Sequence, residues 1–339
     1  MNKTGRHILL LGVLIVLLFV ANLLVGSVSI PADEVFRILL GEDTGRASWR
    51  YIVWEARLPQ ALTAMLAGSA LAACGLLLQT AFRNPLAGVS ILGVNSGAGL
   101  GVAVVMLLLG GTLSAGAFSL SGFFSVLAGA FAGALAVMAL ILFFSTVVRS
   151  NVMLLITGLM VGYLVSSVVS LLNFMSTAEG VQSYMVWGMG HFGGVSLRQM
   201  PAFAAVVLAG LAGALLLVKP LNALLLGERY AENLGVRVRR VRHVLLVVVG
   251  VLTAVTTAFC GPVLFIDLAV PHIARLLLPT ANHRLLLPAT MLAGAVVALA
   301  CNLACVLPGG AGLIPLNAVT PLIGAPIVIY VIVRQRTLG

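Results

Sequence analysis

The sequence predicts an all-α membrane protein of ten transmembrane helices forming one domain. Two observations carry this reading. Apolar residues come in blocks of about twenty rather than at amphipathic spacing, and Lys and Arg collect in alternate connections between the blocks. Of 339 residues, 61% are hydrophobic and 8% charged, a balance no water-soluble core requires. A helix rises about 1.5 Å per residue and the hydrocarbon layer is about 30 Å thick, so about 20 apolar residues cross it.

The spans fall at about 8–28, 61–81, 91–109, 123–147, 152–172, 202–218, 244–260, 263–278, 285–307 and 318–333. The first block follows Lys3 and Arg6 and is long enough to span. Although Gly26-Ser27-Val28-Ser29 imitates a cleavage site, the block reads as a retained span. With the N-terminus inside, fourteen basic residues lie on the cytoplasmic side, among them Arg83, Arg149, Lys219, the run from Arg237 to Arg242, Arg334 and Arg336. Only Arg37, Arg46, Arg50, Arg57 and Arg198 lie outside. That bias places both termini in the cytoplasm of an inner-membrane protein. It also supports counting the short eighth span, which carries Asp267, Pro271 and His272; omitting it would put Arg334 and Arg336 outside.

Two connections are long enough to hold structure. Residues 29–60 are external, with Asp33, Glu34, Glu42, Asp43 and Glu55 among aromatics such as Trp49 and Trp54 that suit the membrane interface. Residues 219–243 are cytoplasmic. A short helix is expected from Leu221 to Leu234, stopped by Gly235, either as a plain surface helix or as a docking element.

Small residues four apart mark spans three to five: Gly93, Gly97 and Gly101; Gly129 and Gly133; Gly158 and Gly162. Close helix packing is their expected role. On span five the stripe continues through Ser166, Ser170 and Asn173, and these polar groups either meet another helix or wall a translocation path.

Catalysis finds little support. The glycine-rich Asn95–Gly101 stretch lacks the lysine of a phosphate-cradling loop and lies inside a span, so ATP hydrolysis belongs to another subunit. Ser96 has no base at a spacing that would activate it. Cys74, Cys260, Cys301 and Cys305 form no Cys-x-x-Cys pair, so neither a disulfide framework nor a metal site is expected, and no cofactor is implied. An ion-coupled secondary transporter is the rival reading. Of nine acidic residues only Asp267 approaches the bilayer, where it either pairs with His272 or Arg275 or sits in a helix break after Gly261-Pro262.

The run RLPQALTAMLAGSALAACGLLLQTAFRNPLAGVSILGVNSGAG (57–99) resembles the signature of FecCD-type permeases, the membrane subunits of importers for ferric siderophores, haem and cobalamin. WGMGHFGGVSLRQ (187–199), GERYAENLG (227–235), GPVLFIDLAVPHIAR (261–275) and NHRLLLP (282–288) agree in order and spacing. The resemblance implies the type II ABC importer permease fold. It further implies a homodimer, two ATP-binding-cassette ATPase subunits beneath it and a substrate-binding protein above, with no nucleic acid among its partners. The cargo would be an iron chelate or cobalamin, iron chelates first on family breadth, with FGGVSLRQ leaning toward cobalamin permeases.

By the same resemblance Gly162, Ser166, Ser170 and Asn173 of span five, with Asn317, Thr320 and Gly324 of span ten, line the path. Ser150 and Asn151 form the cytoplasmic gate. Gly227, Glu228, Arg229, Ala231, Leu234 and Gly235 match the ATPase-coupling motif, with Glu228 and an Ala231/Leu234 face as the expected contact. Arg57, assisted by Arg46 and Arg50, would meet the binding protein. The chain departs from the family pattern at Gln60, Cys301, Cys305, Leu313 and Asp267, which alters the charges of the outer mouth.

Overall fold

The computed structural model describes residues 3–42, 46–110, 112–115, 118–148, 150–306 and 314–336. Asp43, Arg149 and Leu313, to which the sequence assigned charge or docking significance, lie outside them. The order is α1 (Lys3–Leu24), α2 (Ala32–Leu39), α3 (Ala47–Tyr51), a π-helical segment (Ile52–Arg57), α4 (Leu58–Phe82), α5 (Val94–Ala103), a second π-helical segment (Val104–Leu108), β1 (Thr112–Ala115) and β2 (Phe118–Ser121). Then follow α6 (Phe123–Val147), α7 (Asn151–Met175), α8 (Ala178–Gly188), α9 (Met200–Leu216), α10 (Val218–Leu225), α11 (Glu228–Asn233), α12 (Val238–Cys260), α13 (Ile266–Leu277), α14 (His283–Ala304) and α15 (Leu316–Arg336).

Every predicted span contains a helix, but the helices differ in reach. Among the described residues six are long and apolar enough to cross a membrane alone, and α9 with α10, bent by 46°, would make a seventh. Of the other three segments, the α5 segment and α13 are shorter, and α15, of 21 residues, counts as an apolar stretch only over Leu316–Tyr330. The twelve residues of α13 extend about 18 Å, well short of a hydrocarbon layer. Local chemistry breaks them: α5 starts at Gly93 with φ +74, α13 follows Gly261-Pro262, and α15 contains Pro321 and Pro326. Such interruptions are tolerated at membrane depth only where protein covers the freed backbone groups.

The all-α expectation has one exception among the described residues. The connection between α5 and α6 holds an antiparallel hairpin in which Thr112 faces Ser121 and Ala115 faces Phe118. The outer connection before α4 is also structured. Val35 and Ile38 of α2 bury themselves with Leu23, Ile30 and Val53, while Trp49 and Trp54 pack on this small cluster. The Trp54 indole donates to the Ile38 carbonyl at 3.4 Å.

At the centre stands α4, buried on all sides along most of its length. Its Gly68 lies against Gly294 and Ala298 of α14, so that a Cβ there would overlap the Gly294 carbonyl, and Gly75 lies equally close to the Asp267 carbonyl. The predicted stripes on spans three and four meet each other. Gly101 of α5 seats on Gly129 of α6, and Gly133 of α6 seats on Gly97 of α5. Gly158 of α7 approaches the backbone of Ile91 and Leu92. Apolar attraction between helices is weak in lipid, so backbone approach of this kind supplies van der Waals contact that larger side chains would block.

Candidate functional site

On one side of the molecule, α9 bends into α10, and Gly227 with φ +119 then turns the chain into α11. One helix was expected over this stretch; the structure has two, because residue 227 adopts a backbone conformation that only glycine takes without strain. Gly235, with φ +83, ends α11 as expected.

The expected Ala231/Leu234 face is divided. Ala231 is fully buried against Leu224 and Val238, whereas Leu234 is 59% exposed, beside exposed Leu226 and Tyr230. Helical spacing alone would keep residues three apart on one face, but α11 ends at Asn233 and Leu234 has already left the helix, so its side chain no longer follows the buried side. Glu228 forms an ion pair with Arg242 of α12 at 3.0 Å, which ties α11 to the next span. Arg229 is exposed and lines a crevice with Arg83, Leu226, Gly227, Glu228, Tyr230 and Asn233.

On the exposed side of α7, Ser166 and Ser170 line a cavity of about 400 Å³ together with Ser90, Asn95, Ser96 and Tyr184. Gly162 stands beside it, where a Cβ would lie 3.5 Å from Ser96 Oγ. One turn beyond Ser170, Asn173 has a buried Oδ1 with no hydrogen-bond partner among the described residues. Of the stripe read on span five, Ser166 and Ser170 line this hollow, while Gly162 and Asn173 are not part of its lining.

The three α15 residues are placed differently. Asn317 does not line this cavity but holds its wall from behind: Nδ2 donates to the carbonyls of Gly188 and Pro262 at 3.0 and 2.6 Å, and Oδ1 accepts from the Leu264 N–H at 3.2 Å. Pro262 and Leu264 are part of the lining. Thr320 and Gly324 turn instead toward Phe265, bordering a separate crevice, with Thr320 Oγ1 buried and unpartnered among the described residues. Ser150 caps α7, its hydroxyl accepting from the Met153 N–H at 3.4 Å, and Asn151 is the first residue of that helix.

Towards the outer connection, α8 separates this hollow from a cavity of about 980 Å³ lined by Glu55, Gln60, Glu179, Trp187, His191 and Phe259, among others. Arg57 does not reach a surface there. Its guanidinium is buried and donates to the carbonyls of Leu23 at 2.7 Å, Leu24 at 2.9 Å, and Val28, closing the C-terminal end of α1. Arg46 and Arg50 are exposed, Arg46 stacking over Trp49 at 4.4 Å. Sequence reasoning did not foresee that Arg57 would be consumed by α1, since its partners lie some thirty residues away.

Asp267 lies in the first turn of α13, just past the break at Gly261-Pro262, and pairs with neither His272 nor Arg275. His272 Nε2 is 3.0 Å from the Pro85 carbonyl, and Arg275 donates to Gln79 Oε1 at 2.6 Å. No group of three or more His, Cys, Asp or Glu residues that could hold a metal ion occurs among the described residues.

A helical, multi-pass membrane protein with a polar hollow and a structured connection at one end is the framework of a permease. The model of the FecCD transport family matches residues 14–334, and the chain belongs to that family. It is 34% identical over 338 residues to the vitamin B12 import system permease protein BtuC of Klebsiella pneumoniae subsp. pneumoniae, covering all of this chain and 96% of the relative. The BtuC protein of Serratia proteamaculans is 36% identical over 341 residues, covering 99% and 95%. A metal-chelate-type ABC transporter solved in an inward-facing conformation superposes with a TM-score of 0.81 at 29% identity, covering 98% of this chain and 99% of the other. The chain is thus a permease subunit of an ABC importer of the FecCD and BtuC type. Such a family implies ATPase and substrate-binding partners, and these likenesses do not favour the ion-coupled reading of Asp267.

Proposed function

We propose that the chain carries a cobalamin-class metal chelate inward, with iron chelates as second choice. This reorders the sequence expectation. Relatives that match nearly end to end are vitamin B12 permeases by name, and their support agrees with the leaning of the FGGVSLRQ segment. The observation that carries translocation is the hollow along α7, where Ser166 and Ser170 stand opposite Ser90, Asn95 and Ser96 in an otherwise apolar domain.

In this reading the chain crosses ten times from cytoplasmic termini, with α13 and the α5 segment as short crossings shielded by their neighbours. Two copies meet along α7, whose Tyr163, Leu164, Leu171 and Phe174 are exposed, and Gly162, Ser166, Ser170 and Asn173 line the path. From α15, Asn317 supports the path wall while Thr320 and Gly324 set the position of α13. Ser150 and Asn151 form the inner constriction. The ATPase seats on Leu226, Arg229, Tyr230 and Leu234, with Gly227 and Gly235 shaping the element and Ala231 and the Glu228–Arg242 pair anchoring it. Arg46 and Arg50 receive the binding protein. Nucleotide-driven closure shifts the population between outward-open and inward-open states, and the chain makes and breaks no bond.

The test is uptake by proteoliposomes containing this chain with its ATPase and binding protein, offered labelled cyanocobalamin, a ferric siderophore and haem separately. ATP-dependent accumulation of the corrinoid is expected; accumulation of another chelate with none of the corrinoid overturns the cargo. Leu234→Asp should release the ATPase on co-purification, and its retention sinks the docking surface.

A further inference from the structure

The α10–α11 element is joined by side chains to helices that are distant in sequence. Asn222 of α10 sits on the N-terminus of α14. Its Oδ1 accepts from the His283 backbone N–H at 2.8 Å and from the His283 ring at Nδ1 at 2.9 Å. Its Nδ2 donates at 2.9 Å to Asn282 Oδ1, the oxygen that also caps α14 by accepting from the Arg284 N–H at 3.0 Å. A carbonyl-type oxygen facing Nδ1 requires that nitrogen to carry the proton, so Nε2 offers a lone pair. Thr80 Oγ1 of α4 lies 2.8 Å from Nε2 and donates to it. Thr80 and His283 are both buried.

A second bond runs parallel to this chain. Arg83, next in the same end of α4, adopts a left-handed conformation with φ +49, which is strained for a residue with a side chain. From there its guanidinium donates at 3.1 Å to the Leu224 carbonyl, in the last turn of α10. The end of α4 therefore grips α10 at two places, once directly and once through His283. Since α4 and α14 are in backbone contact at Gly68 and Gly294, the grip ends on a closely packed pair of spans.

We propose that Thr80, His283, Asn222 and Arg83 form the transmission between the ATPase-docking element and the spans, delivering its displacement to the α4/α14 pair at the centre of the subunit as well as to the chain neighbours α9 and α12. These are positioning residues, and their function is to keep nucleotide-driven movement and gate movement in step. The proposal rests on α10–α11 being the docking element.

The experiment measures substrate imported per ATP hydrolysed in proteoliposomes of the full assembly. Thr80→Val, which preserves shape, and Asn222→Ala should each lower that ratio about fivefold, as broken hydrogen-bond networks do, and the double variant should fall no further because both break one serial link. Thr80→Ser, which keeps the hydroxyl, should restore the ratio. The ATPase should remain bound throughout. An unchanged ratio in Thr80→Val overturns the proposal, as do additive losses in the double variant. Loss of the ATPase from Thr80→Val and Asn222→Ala also overturns it, by making these residues supports of the docking surface. Leu234→Asp separates the two ideas: if it retains the ATPase, α11 is not the docking surface, while the ratios of the Thr80 and Asn222 variants still judge the link in the same assembly.

Discussion

The Asp267 carboxylate accepts a hydrogen bond from the Val89 N–H at 2.6 Å, joining the first turn of α13 to the connection between α4 and α5. Gly88 makes this approach possible, because a Cβ there would stand 2.6 Å from the same oxygen. That connection carries Ser90, which lines the polar hollow, and Leu92, which packs on Gly158 of α7. The contact therefore holds a wall in place, a role distinct from ion binding.

It follows that Asp267→Asn, whose amide oxygen still accepts from Val89, should transport within about threefold of the parent. Asp267→Leu leaves a buried N–H without a partner, which costs about 1–3 kcal/mol. The latter should melt earlier in detergent and import poorly. Loss of import in Asp267→Asn with ATP hydrolysis intact would instead revive ion coupling.

The glycine contacts predict a graded series. At Gly101 a Cβ would overlap the Gly129 carbonyl, so Gly101→Val should reduce folded yield sharply, the strain exceeding the usual overpacking cost of about 1–3 kcal/mol. Around Gly12 of α1 no atom lies within 4 Å of the place a Cβ would take, and Gly12→Ala should be neutral or mildly stabilising by helix propensity. Size-exclusion profiles of the two variants compare them directly.

Arg57 and its neighbours should separate by phenotype. Arg57→Ala uncaps three carbonyls of the α1 terminus and should destabilise the protein by about 2 kcal/mol, seen as a lower midpoint of thermal unfolding. Arg46→Ala and Arg50→Ala should leave that midpoint unchanged while weakening capture of the binding protein and its dependence on salt. A binding defect confined to Arg57→Ala, at normal stability, would return the docking role to that residue.

Filling the hollow offers a direct test of the path. Ser166→Phe or Ser170→Phe should cut import at least about tenfold, since a ring occupies a substantial part of a cavity of about 400 Å³. Assembly with the ATPase should persist. Normal import by both variants removes α7 from the path.

Local chemistry made much of this protein legible in advance. Gly97 and Gly101 repeat every helical turn and so had to share a face, Gly235 had to end a helix, and the polar series from Ser166 to Asn173 had to lie along one side of α7. Hydropathy located a helix in every expected segment. It marked the eighth span as short but did not foresee the break that shortens the α5 segment, because coverage of broken backbone by neighbouring helices is not a property of the segment itself. The hairpin after α5 escaped for a related reason, as eight residues in a loop carry no strong periodic signal.

The sequence by itself determined where apolar helices form, which connections carry the basic residues, and the family to which the motifs belong. Only the tertiary structure decided where the decisive side chains point. It turned Arg57 inward onto α1, divided Ala231 from Leu234, set Asn317 behind the wall of the hollow, and brought His283 onto Asn222 across 61 residues of chain. The physical reason is that helix formation is governed by neighbours within one or two turns. The rotation of each helix and the partner of each buried polar group are governed by packing, above all by where glycines let two backbones touch.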